Sequence, residues 1–173
     1  MDDILKLDAT VLAGRIADGT LTAEALMIAT LDHVDAVNPA LNAIVSRVDR
    51  ETLQAQARAA DAGPRKGPLH GLPIAVKDLA DVAGIPTSMG CAALAGMVPR
   101  TSDVMVQRMI YAGAIVIGKT NTPEFGLGSH TYNPVFGATR NAIDPSRSAG
   151  GSSGGAAVAL AARMTSIADG SDM

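Results

Sequence analysis

A chain of 173 residues with 47% apolar side chains can fill one core, which fits a single globular domain. Its net charge of -3 and isoelectric point near 5.5 argue against a nucleic-acid surface, which needs a basic face. The apolar runs are short and interrupted, so none qualifies as a membrane span. Two tyrosines, two phenylalanines and no tryptophan leave the core to Ala, Val, Leu, Ile and Met. The single cysteine, Cys91, cannot form an internal disulfide, and Met1-Asp2-Asp3-Ile4 lacks the charged-then-apolar pattern of a signal peptide. A soluble protein of a reducing cytoplasm is the expectation.

The first sixty residues read as largely helical. Thr22 is an N-cap with Glu24 in the first turn, and Met27, Ile28, Leu31 and Val34 make one apolar face. Asn38-Pro39 is expected to stop that helix. A short strand over Leu41–Ser46 and a polar, alanine-rich helix from about Arg50 to Ala62 follow. The loop 62–68, rich in Gly and Pro, divides a helical segment, residues 1–62, from a core, residues 63–173.

The core alternates strand and helix. Pro73–Val76 is a short apolar strand running into Lys77-Asp78. Ser102 is expected to cap a helix through Tyr111, with Val104, Met105, Arg108 and Met109 near one face. Ala114–Ile117 is a second strand, ending at Gly118-Lys119-Thr120-Asn121. Residues 124–151 are glycine-rich with little periodicity, and loops of such length are usually functional or disordered. A helix from about Ser153 to Arg163 and a strand near Ser166–Ala168 complete an α/β pattern, with parallel strands joined by crossover helices.

Lys77 stands at the carboxyl end of an apolar strand, the edge where α/β folds place their sites. Partial desolvation there disfavours the ammonium and suits the amine to act as a base. The competing reading is a lysine that marks the strand end and reaches for water. Lys119 follows a strand in the same way, and spacing alone does not separate the two. Gly150-Gly151-Ser152-Ser153-Gly154-Gly155 holds two hydroxyls on tight backbone before a helix. The phosphate-binding loop needs Gly-Lys-Ser/Thr there, and Gly154-Gly155-Ala156 stands in its place. His33, His70 and His130 lack metal-ligand spacing, so no metal is expected. Cys91 has no base nearby and reads as a small buried residue, and Thr122-Pro123-Glu124 as a helix start.

Five ordered blocks carry a resemblance over roughly residues 20–173: Gly71–Asp78, Gly118–Gly126, Asn133–Asn141, Gly150–Gly155 and Gly170–Met173. In them the chain resembles the amidase signature family of serine hydrolases. The resemblance implies an α/β fold: a helical N-terminal preface, then part of an amidase-signature core with a mostly parallel or mixed sheet flanked by helices. It implies a Ser-Ser-Lys triad that works without cofactor. Lys77 matches the family's base and Ser152 its bridging serine, whose preceding peptide bond is typically cis. Ser153 and Asp172 match positions that support the loop, and Met173 lies where the oxyanion hole begins. The acylated serine would be the third residue past Met173, so residues 1–173 by themselves are expected to be inactive. The implied activity is hydrolysis of a small-molecule linear amide to acid plus ammonia or amine. Two alternatives stand beside it: the amidase component of a glutamyl-tRNA amidotransferase, and a truncated, non-catalytic binding fragment. The amidotransferase pattern has Met-Asp-Glu-Phe where this chain has Thr122-Pro123-Glu124-Phe125, and threonine where Met173 stands, which tilts the reading to a general amidase. No direct contact with nucleic acid or membrane is implied, and assembly into a homo-oligomer is left open.

Overall fold

The computed structural model describes residues 4–171. Helix α1 spans Ala9–Ala17 and α2 spans Ala23–Leu41. The Thr22 side chain accepts from the Ala25 N–H, as its capping role requires. Both oxygens of Asp61 add to the same end, accepting from Ala23 N and Glu24 N. Met27, Leu31 and Val34 are buried against the sheet, whereas Ile28, expected on that face, is 36% exposed. Leu26 is buried instead, because α2 has a second covered side where Leu26 packs with Leu12 and Leu72.

Pro39 does not end α2, which runs one more half-turn to Leu41. A proline so near the C-terminus removes a single N–H from the helix ladder. Asn38 carries out the termination instead: its Oδ1 accepts from Ala43 N and Ile44 N, and its Nδ2 donates to Ile44 O. Asn42 then turns left-handed, with φ 52. Because the helix takes residues to Leu41, strand β1 is reduced to Ile44–Val45. Helix α3 runs over Arg50–Ala62 as the sequence suggests, with the Asp49 carboxylate accepting from Thr52 N. Arg47 and Arg50 both grip Asp35 of α2, which sets the two helices side by side.

Strand β2 spans Pro73–Lys77, α4 Val104–Tyr111 and β3 Ile115–Thr120. Strands β2 and β3 are parallel with α4 as their crossover, and β1 pairs antiparallel with β3, giving the order β1-β3-β2. The sheet is therefore mixed, with helices on its faces. The expected strand at 166–168 amounts to one parallel bridge, Ala75 to Ala168, on the free edge of β2. Ser102 does not cap α4. Its hydroxyl accepts from Ala83 N, and Asp103 holds the N-cap position. The face of α4 turned to the core is Val106 with Met109, while Val104 and Met105 point outward.

Residues 124–151 have order that no periodicity announces. A 3-10 turn at Glu124–Gly126 leads to a hairpin of β4, Tyr132–Asn133, and β5, Gly137–Ala138. Asn133 binds it together by donating to Asn121 Oδ1 and Thr122 O, both at 2.7 Å, while its Oδ1 accepts from Val135 N and Phe136 N. Helix α5, Gly154–Ala161, then packs back on the sheet through Val158 and Ala159. Cys91 is half-buried rather than buried. Among the described residues no helix is long and apolar enough to cross a membrane.

Candidate active site

The pleat separates the two lysines that spacing could not. Lys77 pairs with Thr120 and Val76 with Lys119, and paired residues in parallel strands share a face. Lys77 and Lys119 therefore project to opposite sides of the sheet. Lys77 follows Ala75 toward the layer that contains α5, whereas Lys119 follows Val76 toward the α4 side.

Both side chains are buried, 1% and 0% exposed. Lys119 is walled in: Nζ donates to Ala80 O and to Thr87 Oγ1 (3.1 Å), with Asp78 Oδ1 at 3.8 Å. Burial pushes the Lys119 amine down and the Asp78 carboxyl up, each against the pull of its partner. Lys77 instead meets hydroxyls. Its Nζ lies 2.8 Å from Ser152 Oγ, 2.9 Å from Ser153 Oγ and 2.9 Å from Ser171 Oγ. An ammonium can donate to all three, while the neutral amine can turn its lone pair to one hydroxyl hydrogen.

The glycines around these serines explain how a helix start comes so close to the sheet. A Cβ on Gly155 would lie 2.6 Å from Asn121 O and 2.8 Å from Ala43 O, both backbone atoms at the sheet's edge. The Gly155 N–H donates to Asn121 O at 3.1 Å across the same gap. The Gly151–Ser152 peptide is cis, as the resemblance leads one to expect. Thr131 clamps the loop from the other side, its Oγ1 donating to Gly150 O and accepting from Gly154 N. Gly155→Ala is therefore expected to destabilise the protein by about 3 kcal/mol, since backbone on both sides cannot yield. Gly14→Ala, in α1 with open space around it, should instead add about 0.5–1 kcal/mol. Urea unfolding of the two variants checks this, and equal midpoints would refute the close-approach argument.

Ser152 and Ser171 line a cleft of about 260 Å³ with Leu79, Phe125, Gly126, Gly128, Ser129 and Gly151. A larger cavity of about 760 Å³, between α3 and the end of α4, holds neither Lys77 nor any of the three serines. Ser153 also accepts from Ser171 N at 3.1 Å. Of the residues singled out from sequence, Lys77, Ser152 and Ser153 come together; Asp172 and Met173 lie outside the described residues. Ser171 and Asp169 were not singled out. Asp169 Oδ1 accepts from the Lys77 backbone N–H at 2.7 Å. The signal for both was a polar run following a strand-like segment expected to join the sheet. The three histidine rings are occupied separately, His33 at Ala162 O, His70 at Ala60 O and His130 at Ser148 Oγ.

The model of the Amidase family matches residues 25–173. The chain belongs to the amidase family. It is 43% identical over 176 aligned positions to a glutamyl-tRNA(Gln) amidotransferase subunit of Acidothermus cellulolyticus, covering 99% of this chain and 35% of that protein. It is equally 43% identical to an acylamidase of Rhodococcus erythropolis, covering 96% of this chain and 35% of the relative. The native peptide amidase of Stenotrophomonas maltophilia superposes with a TM-score of 0.86 at 34% identity, over 94% of this chain and 35% of that one. The chain thus spans about a third of the length of these relatives.

Proposed function

We propose that the protein carrying this chain hydrolyses a carboxylic amide to acid plus ammonia or amine, with Lys77 as base and Ser152 as proton bridge. The observation that carries the proposal is the 2.8 Å contact of Lys77 Nζ with Ser152 Oγ at the wall of a cleft. Neutral Lys77 draws the proton of Ser152, which draws one from the nucleophilic serine that the resemblance puts three residues past Met173. That serine attacks the amide carbonyl, and backbone N–H groups hold the oxyanion. The proton returns through Ser152 to the leaving amine, and water then cleaves the acyl-enzyme. Ser153 supports the loop, and Asp172 and Met173 keep the supporting and oxyanion-hole roles that the resemblance implies. Residues 63–173 make up the part of the catalytic core present here. Linear amides and a cytoplasmic setting complete the reading.

Ser152→Ala in that protein should lower amide turnover by about a hundredfold or more, by removing the relay. Phenylmethylsulfonyl fluoride should inactivate the wild type. Neither turnover nor sulfonylation in the wild type would favour the non-catalytic reading. The likeness to amidotransferase subunits supports a second reading, release of ammonia from glutamine for a partner. Glutaminase activity that appears only when partner proteins are added would select it.

A further inference from the structure

Asp169 sits where a neighbouring strand would have offered a carbonyl. Ala168 bridges Ala75 in parallel on the edge of β2, and the Asp169 carboxylate then takes the Lys77 N–H at 2.7 Å. Two residues later Ser171 reaches Lys77 Nζ with its hydroxyl, and its own N–H is held by Ser153 Oγ. One side chain therefore ties the main chain of the lysine to the segment that supplies one of its hydroxyl partners. A carboxamide could make the same bond, so the charge of Asp169 calls for a separate account.

The charged groups acting on Asp169 among the described residues are Lys119 on β3 and Lys77 on β2. Lys119 in turn faces Asp78, Asp81, Asp169 and Asp103. Among the described residues, Ser152, Ser153 and Ser171 each place a neutral hydroxyl within hydrogen-bond distance of Lys77 Nζ. Burial pushes the Asp169 carboxyl up, and the Lys77 N–H, then Lys119 and Lys77 charge, oppose that rise. Attraction is mutual: an anion stabilised by the Lys77 ammonium stabilises that ammonium equally.

We propose that Asp169 is a positioning residue for the Lys77 relay, whose carboxylate anchors the lysine's backbone and whose negative charge favours its ammonium. The proposal rests on Lys77 being the base. It is tested in the protein that carries this chain by the pH dependence of inactivation by phenylmethylsulfonyl fluoride, which needs no knowledge of the natural amide. In that reaction the serine oxygen bonds to sulfur, fluoride leaves, and the serine proton passes through Ser152 to Lys77. Asp169→Asn keeps the acceptor and loses the charge, so the acid limb should move to lower pH. Its plateau should stay within about threefold of wild type, since the anchoring bond survives. Asp169→Ala should show the same shift with a plateau about tenfold lower, because the Lys77 N–H loses its partner. Asp169→Glu should hold the wild-type midpoint, and it replaces the Asn variant in the comparison if that variant does not fold. Variants that lower the rate equally at every pH, with unchanged midpoints, would overturn the proposal and leave a purely structural role. Normal inactivation of Lys77→Ala would instead overturn the assignment of Lys77 as base.

Discussion

Lys77→Ala is expected to lower amide turnover by about three orders of magnitude in the protein that carries this chain, the middle of the range that a positioned base contributes. The side chain is buried at the end of β2 with hydroxyls at hydrogen-bond distance, so no water-borne base can take its place. Lys77→Arg should not restore the rate, because a guanidinium keeps its proton and cannot accept one. The wild-type rate should rise with pH and level off: below the titration of Lys77 the ammonium predominates and the relay has no acceptor, above it the amine is free to receive. Thermal unfolding of the alanine variant should stay cooperative, separating lost chemistry from lost fold. Lys119→Met should move stability far more than it moves the chemical step. If instead Lys119→Met were inactive though folded, and Lys77→Ala kept normal rates, the wrong lysine would have been taken as the base.

What could be read in the sequence, and what could not, divides along the range of the forces involved. Helix α3 was legible because its polar, alanine-rich run is continuous and the Gly- and Pro-rich loop that ends it lies next to it in the chain. The end of α2 was not, because Pro39 is a local signal overruled by the side chain of Asn38, whose three bonds form only after the chain has turned. Ser102 looked like a cap, yet its hydroxyl is taken by Ala83 N, nineteen residues away. At the site, Lys77, Ser152 and Ser153 were visible through their motifs, while their opposition to Lys119 needed the strand register. Asp169 and Ser171 belong to the site only because the 168–171 segment lies along β2, a pairing that a single bridge marks in the fold and no periodicity marks in the chain.

Breaking the buried pair on the other side of the sheet should have the largest effect on stability. Asp78 and Lys119 are both 0% exposed, and no water can compensate either one when its partner is removed. Lys119→Met leaves the Asp78 carboxylate buried and should cost about 3–5 kcal/mol, and Asp78→Leu should cost a similar amount by stranding the lysine. The double variant should cost less than the sum, since it removes the desolvation of both charges together. Urea unfolding of the four proteins measures that coupling. A consequence at the cleft follows from the bonds that Asp78 anchors. It accepts from Ser88 N and Ser88 Oγ, the Ser88 hydroxyl accepts from Gly90 N, and Met89 O accepts from Phe125 N at 2.7 Å. Phe125 borders the same cleft as Ser152. The double variant should therefore raise KM for amide substrates more than it lowers kcat, because the hydrogen bonds of the relay on the opposite face are kept while the cleft wall loses its anchor. Additive costs in the four-protein cycle, or a fall in kcat at constant KM, would contradict a pair that acts through the wall of the cleft.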